Sequence, residues 1–482
     1  LDLLEYPIRL GHDVFETGSI SFDSLRTLSS ALGKFSSALL TYNIQKPRVI
    51  SCTALRDAKN RTLVIDQLKV RNNLDVAVLE DSQEKAYLYS EIATKLTDAD
   101  CLRPGNSVIA YVGSGSIGVA VYDGTKILYF QNISMGALKL YEVLHKIREV
   151  GQEFHTVVEE YLDTVLNRVA FSEFPIQNLI LTGSQIDLVA KLCGAKHEKS
   201  MYQFGTERLS ELYLSLRSLT PEAIGMRYGI KEQDAAILYT ALAIYQAMLR
   251  FSPNTAMVCA PTADISEAVV RCMLSPKADA ERIQYFRKSA IACAKTTAKR
   301  FGCDPEHSQY IRDCACRIFD KLKRIHGLDP SKRLILELSA ILHSCGSFVS
   351  ARQHNRCTFD LIRNMDLFGL SKTEILEVAF VTGSISGNLA VEENPDFMEL
   401  NNKEKLVISK LSALFRIANA LDKSHREKLR DLKVTVEDDR VLFKASVSGS
   451  PLLEQWAFAE SAQFFKEVFG LSPELSVKYE LL

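Results

Sequence analysis

The sequence predicts an α/β protein whose second half is helical. Three observations carry that expectation. Apolar runs of strand length alternate with helical stretches of roughly 15 to 20 residues through the first part of the chain. The loop Tyr111-Val112-Gly113-Ser114-Gly115-Ser116 separates two apolar runs, as a hairpin turn does. From Pro276 onward the composition is strongly helical, which places a domain boundary there.

Taken in order, Leu3 to Leu10 reads as an opening strand, followed by Gly11 and a turn at Thr17-Gly18. Ser21 is a helix cap, because Leu25, Leu28, Leu32, Phe35 and Leu39 then recur on one helical face. A strand from Arg48 to Cys52 runs into a helix ending near Asn72-Asn73; a short strand, Val76 to Leu79, precedes a helix opened by Asp81-Ser82-Gln83-Glu84. Ser107 to Ala110, Ile117 to Val121 and Lys126 to Phe130 form a three-stranded meander, turned at the glycine loop and at Asp123-Gly124. Thr220-Pro221-Glu222 has the form of a cap followed by proline at the first helical position. Ser371-Lys372-Thr373-Glu374 reads as a capping box. The tail combines strands at Leu432 to Thr435 and Val441 to Ala445, a helix from Glu454 to Val468 and a strand near Leu475 to Tyr479. No internal repeat or low-complexity tract is visible.

The 482 residues, 47% of them hydrophobic, suffice for two to four domains, since domains average ~100–200 residues. A net charge of −1 argues against a wholly basic nucleic-acid binder. Eleven cysteines without a CxxC pair indicate neither a zinc ribbon nor a disulfide framework, which fits a reducing cytosol and a cytoplasmic protein. The longest apolar run, Ala235 to Leu249, carries Tyr239, Tyr245 and Gln246 and falls short of the ~20 residues that span a bilayer. It reads as a buried helix, and no membrane association is expected.

The glycine loop carries the first chemical signal. Two glycines and two serines let backbone N–H groups converge without Cβ crowding, and converging N–H groups make a nest for an anion such as phosphate. The same pairs also close ordinary hairpins. The run Ser51-Cys52-Thr53-Ala54-Leu55-Arg56-Asp57-Ala58-Lys59-Asn60 decides the matter, because it closely resembles the signature of the Ppx/GppA family, the exopolyphosphatases and guanosine pentaphosphate phosphohydrolases. Tyr111 to Ser116 stands where that family carries Asp-Ile-Gly-Gly-Gly-Ser, with Met135-Gly136-Ala137 at the family's spacing. Leu181-Thr182-Gly183, Asp234-Ala235-Ala236, His307 with Ile341-Leu342-His343, Leu361 to Asn364 and Arg416 to Asp422 extend the likeness over nearly the whole chain.

The resemblance implies an α/β actin-like core of the ASKHA, ribonuclease H-like kind: two subdomains about a cleft, then an all-α HD-like domain and a small α+β tail. The implied divisions are 1–108 for subdomain I, its opening hairpin expected upstream of Leu1, 109–275 for subdomain II, 276–425 for the HD-like domain and 426–482 for the tail. It further implies a homodimer in which Mg²⁺ and two carboxylates act on a phosphoanhydride of polyphosphate or guanosine pentaphosphate.

Several functional positions depart from the family pattern. The first phosphate loop, Asp-x-Gly-Ser-Asn-Ser, would precede Leu1. The catalytic Glu falls on Lys85, the loop Asp on Tyr111, and a second acid on Gly118. Arg56, Lys85 and Tyr111 therefore occupy the catalytic positions, and Gly113, Ser114, Gly115, Ser116 and Gly183 the phosphate-binding ones. Gly183-Ser184-Gln185 stands at the family's Gly-Gly-Thr, which puts the close backbone approach there in question.

Phosphoanhydride hydrolysis needs a group that orients or deprotonates water and cations that offset charge on the phosphoryl oxygens. Mg²⁺ takes hard oxygen ligands that Tyr and Gly cannot supply. An ammonium attracts phosphate but takes no proton from water unless burial lowers its pKa by several units. Glu84 is the tempting substitute base, yet it lies about 100° around the helix from Lys85. Asp81-x-x-Glu84 also has the form of a capping box, which accounts for both acids structurally. In the helical half, Ser344 replaces the Asp of a His-Asp pair and Asn419 stands where a later Asp is common, so no metal ligands are assigned and His307 and His343 read as core or rim histidines. Two readings follow: a phosphoanhydride hydrolase with a rearranged site, or a non-catalytic relative that binds such a ligand or a partner protein.

Overall fold

The computed structural model describes residues 4–44, 46–99, 101–148, 154–171, 173–198, 200–384 and 394–479. The chain divides into two compact units, Leu1–Phe286 and Arg287–Leu482.

The first unit holds two sheets. A parallel pair, β1 (Val49–Ser51) and β2 (Val76–Val78), runs in register from Val49 against Val76. A larger sheet contains β3 (Asn106–Val112), β4 (Ile117–Tyr122), β5 (Ile127–Ile133), β6 (Ile176–Gly183), β7 (Lys196–Glu198), β8 (Met201–Gly205) and β9 (Met257–Pro261), in the order β5-β4-β3-β6-β9-β8-β7. The β3-β4-β5 meander is antiparallel, β3-β6 and β6-β9 are parallel, and β9-β8-β7 returns antiparallel. The parallel joints β3-β6 and β6-β9 need crossover connections. The Glu232–Met248 helix supplies the largest apolar one, with Ala235, Leu238, Ala241, Leu242, Ile244, Tyr245 and Met248 fully buried. That all-round burial accounts for its weak amphipathic pattern. The turn of the second hairpin is set by Asp123, whose Oδ1 accepts from the Thr125 and Lys126 amides, and by Gly124 at φ 95°.

Five helices position the site. They are α1 (Leu10–Thr17), α2 (Phe22–Thr41), α3 (Thr53–Asp57), α4 (Arg61–Asn72) and α5 (Asp81–Ala99). Val14, Ile20, Leu25, Leu55, Ala58, Val64 and Leu68 form a core shared by the first four of them. Ser21 caps α2 as expected, its side chain accepting from the Ser24 amide. The expected opening strand is corrected: residues 4–9 form no strand, and Leu10–Thr17 is helical. Pro7 removes a ladder donor, β1 and β2 pair only with each other, and Val14 gains burial from the helix. Gly18 ends that helix at φ 81°.

The second unit is a helical bundle. Pro305–Lys321, Lys332–Leu342, His354–Arg363, Lys372–Gly383 and Asn402–Ala420 are its main helices. The Ser371–Glu374 capping box is present with both of its bonds. The tail forms a sheet of β10 (Leu429–Val436), β11 (Arg440–Val447) and β12 (Ser472–Tyr479), backed by the Leu452–Phe469 helix. β10 and β11 are an antiparallel hairpin, and the helix lets β12 return parallel to β11. A mixed sheet with helices, then a helical unit and a small α+β tail, is the architecture the sequence predicts at that level.

Candidate active site

The glycine loop sits at the C-terminal end of β3 and is folded back on itself. The Gly113 amide donates to the Ser116 carbonyl at 2.8 Å. The Ala137 and Lys139 amides donate to the Gly113 and Ser114 carbonyls at 2.9 and 3.0 Å, so the start of α6 (Ala137–Arg148) is docked on the loop. Gly136 makes that contact possible: a Cβ there would lie 2.3 Å from the Gly113 carbonyl oxygen. On the other side Gly115 leaves room for Thr53 of α3, whose Cγ2 a Cβ would meet at 2.6 Å.

The neighbouring strand end keeps its close approach. Gly183 has φ 106°, and a Cβ on it would lie 2.3 Å from the Val112 carbonyl oxygen. The Ser184 amide donates to that same carbonyl at 2.6 Å. One glycine thus preserves the β3-β6 contact at this point, although the sequence put it in question.

Arg56 is delivered by α3 and is only 10% exposed. Its Nη1 donates to Glu84 Oε2 at 2.9 Å and to the Leu79 carbonyl at 3.0 Å, while Nη2 donates to Thr53 Oγ1 at 3.0 Å and to Asp81 Oδ1 at 3.2 Å. The guanidinium is tied to two elements, α5 and the end of β2, by charge-assisted bonds. Glu84, chiefly, holds its pKa up against the effect of burial.

Lys85 is the deepest of the site side chains, 1% exposed. Its ammonium donates to Asp81 Oδ2 at 2.8 Å, to Ser116 Oγ at 3.0 Å and to Asn132 Oδ1. Burial lowers its pKa, and Asp81 opposes the shift. Gly118 is what admits this lysine. A Cβ on Gly118 would lie 2.7 Å from Tyr89 Oη and 3.3 Å from Lys85 Cε.

The capping-box reading of Asp81 and Glu84 is corrected. Helix α5 begins at Asp81, and the reciprocal bond belongs to the preceding residue: the Glu80 amide donates to Gln83 Oε1 at 3.2 Å. Asp81 instead accepts from Arg56, Lys85 and Ser116, and Glu84 from Arg56. Both are site residues that sequence reasoning missed. The cap pattern is read over four residues, whereas Arg56 is 25 and 28 residues away from its partners.

Tyr111 belongs to the same cluster. Burial raises its hydroxyl pKa, with Glu84, Cys52, Asp264 and Asp81 adding to the effect. Its ring covers Gly113, whose Cβ position is 3.3 Å from Tyr111 Cε1. Lys59 and Arg61 are exposed at the edge of α3 and α4.

Charge decides what this cluster can hold. Two cations, Arg56 and Lys85, face Asp81 and Glu84, with the more exposed Asp57 3.6 Å from Arg56 Nε, so the positive charges are already compensated. A Mg²⁺ ion does not fit this donor set. Both carboxylates already accept from cations at 2.8 to 3.2 Å, and a divalent ion at Asp81 would face Lys85 and Arg56 together. Among the described residues no group of three or more His, Cys, Asp or Glu is arranged to hold a metal.

In the helical unit His307 and His343 are buried, as the sequence reading had it. His307 Nδ1 is 2.7 Å from Asp422 Oδ2 and its ring stacks on His425 with centroids 3.4 Å apart. Asp422, rather than Asn419, is the acid at this place, three residues further along the same run. Its Oδ1 also accepts from the Arg426 and Glu427 amides at 2.9 and 2.7 Å.

Among the described residues no helix is long and apolar enough to cross a membrane. A model of domain III of the Ppx/GppA phosphatases matches residues 290–458. The chain is 19% identical over 382 residues to a guanosine-5'-triphosphate,3'-diphosphate pyrophosphatase of Photobacterium profundum, covering 76% of this chain and 71% of that one. It is similar to the crystal structure of an exopolyphosphatase from Cytophaga hutchinsonii, with 20% identity, a TM-score of 0.47 and coverage of 54% of this chain and 84% of that one. A family member from Aquifex aeolicus gives 18%, 0.45, 55% and 86%. A model of the Ppx/GppA phosphatase family as a whole matches residues 5–274, more than half of the 482 residues, and the chain belongs to that family.

Proposed function

We propose that this chain is a phosphate-chain receptor of the Ppx/GppA family that does not hydrolyse its ligand. The ligand class is a terminal phosphoanhydride, as in polyphosphate or guanosine pentaphosphate. The observation that carries the reading is Lys85: a buried ammonium, bonded to Asp81, Ser116 and Asn132, fills the place where hydrolysis calls for a carboxylate that activates water. The retained Gly113–Ser116 loop, Gly136 and Gly183 support binding, since each keeps backbone close to backbone where a side chain would intrude.

On this reading the cleft lies between two subdomains of an actin-like core, 1–108 and 109–275, followed by an HD-like domain over 276–425 and the tail 426–482. Asp81 and Glu84 act as internal stand-ins for phosphate. They hold the Arg56 fork until a ligand oxygen replaces them. Cytoplasmic residence and homodimer formation remain part of the proposal.

A second reading has its own observation. Glu84 is 12% exposed and its carboxylate lies within 3.5 Å of the Thr53 hydroxyl, so it could orient water in a rearranged hydrolase. Incubation with polyphosphate and Mg²⁺, with inorganic phosphate measured against a heat-killed control, separates the two. Binding without phosphate release is expected; steady release abolished by Glu84→Gln would establish the second.

A further inference from the structure

The helical unit contains a close pair of thiols. Cys303 and Cys345 place their sulfurs 3.5 Å apart. Cys303 lies in the turn after Gly302, between the Pro276–Arg300 and Pro305–Lys321 helices, and its amide donates to the Ala298 carbonyl at 2.9 Å. Cys345 opens the 3₁₀ turn Cys345–Phe348 and is completely buried. The two sulfurs differ in access. Cys303 lines a cavity of about 340 Å³ together with Lys295, Lys299, Ser308, Gln309 and Ile341, and Cys345 does not.

We propose that Cys303 and Cys345 form a peroxide-sensitive pair, in which Cys303 is oxidised first and Cys345 resolves it to an intramolecular disulfide. The cavity admits a molecule as small as hydrogen peroxide many times over, given ~30 Å³ for a water. The charge distribution has the required polarity. Either sulfur can donate in the Cys303–Cys345 contact; with Cys345 as donor the Cys303 thiolate is favoured, and a bond from Ser344 favours it further.

The Cys303 thiolate attacks one peroxide oxygen, the O–O bond breaks, and hydroxide leaves, giving a sulfenic acid. Cys345 sulfur then attacks Cys303 Sγ; its proton and the sulfenic hydroxyl leave as water. The sum is two thiols and one peroxide giving one disulfide and two waters. Closing from 3.5 Å to an S–S bond of about 2.05 Å is a movement that side-chain torsions can supply.

The test treats the reduced full-length chain with hydrogen peroxide, blocks remaining thiols with N-ethylmaleimide and maps a non-reduced digest by mass. A peptide linking Cys303 to Cys345, released by dithiothreitol, is expected. It should form at least about tenfold faster than oxidation of Cys52, whose thiol burial pushes up to about 12. Cys303→Ser should leave Cys345 unoxidised, and Cys345→Ala should leave a dimedone-reactive sulfenic acid at Cys303. The proposal falls if both cysteines are recovered as maleimide adducts while Cys52 is oxidised, or if sulfenic acid accumulates at Cys303 with no linked peptide. Should Cys345→Ala fail to fold, the presence or absence of the linked peptide in the unsubstituted chain decides.

Discussion

Lys85 and Asp81 form an ion pair one turn apart on α5, Nζ to Oδ2 at 2.8 Å, with the lysine 2% and the aspartate 27% exposed in their side chains. The lysine is the buried partner, so the pair is asymmetric. Losing Asp81 would strand a charge inside the protein, while losing Lys85 would leave a carboxylate that still reaches Arg56.

Lys85→Met should lower stability by about 2 kcal/mol, a moderate value because Asp81 keeps Arg56 and some water. The midpoint of urea unfolding measures it. Lys85→Glu should do something the methionine does not. It leaves Asp57, Asp81, Glu84 and the new glutamate around one guanidinium, and the melting temperature should then rise with millimolar Mg²⁺, as it does when an ion binds only the folded state. An unchanged melting temperature would mean that more than this one side chain keeps the ion out.

Gly118 should tolerate no side chain while Tyr89 keeps its hydroxyl. Gly118→Ala is expected to cost about 1–3 kcal/mol, because its Cβ would lie 2.7 Å from Tyr89 Oη. In the double variant Gly118→Ala, Tyr89→Phe, part of that loss should return. A double-mutant cycle by thermal unfolding gives the coupling, and additive losses would show that the two positions do not meet.

Glu84→Gln should strengthen polyphosphate binding by about tenfold, since it weakens the internal competitor for Arg56 by roughly 1.4 kcal/mol. Arg56→Met should abolish binding. Titration calorimetry with a short polyphosphate reads both, and weaker binding in Glu84→Gln would remove the carboxylate from its assigned role.

Stability should fall as pH drops below about 6.5, and His343 is the main reason. Burial, then His307, push this imidazole down to about 3, and its Nδ1–H donates to the Ala340 carbonyl at 2.9 Å. The unfolded chain binds a proton near pH 6.5 that the folded chain refuses, so the stability present above that value is lost progressively between about 6.5 and 3. His425 and His326, also lowered by burial, add in the same direction. His343→Gln should reduce the slope of unfolding free energy against pH by up to about 1.4 kcal/mol per unit. Urea titrations at pH 5, 6 and 7 measure it.

Local signals read well from the sequence. The meander, the Thr220 cap, the Ser371 box and the buried Ala235 helix follow from turn chemistry and hydrophobic period, which act over a few residues. Misreadings arose where a distant partner outweighed the local pattern. Leu3 to Leu10 reads like a strand in sequence, but residues 4–9 have no strand neighbour among the described residues, and Asp81 and Glu84 spell a cap while an arginine from another helix claims both. The depth of Lys85 was equally hidden, because it depends on the missing Cβ of Gly118 one strand away.

That empty Cβ position also makes the lysine hard to undo. An acid placed at 118 alone would run into Tyr89 and the Lys85 stem, and an acid placed at 85 alone would set a further negative charge beside Asp81 and Glu84. Each single substitution is therefore damaging, so the lysine and the glycine are structurally coupled and should be exchanged together or not at all.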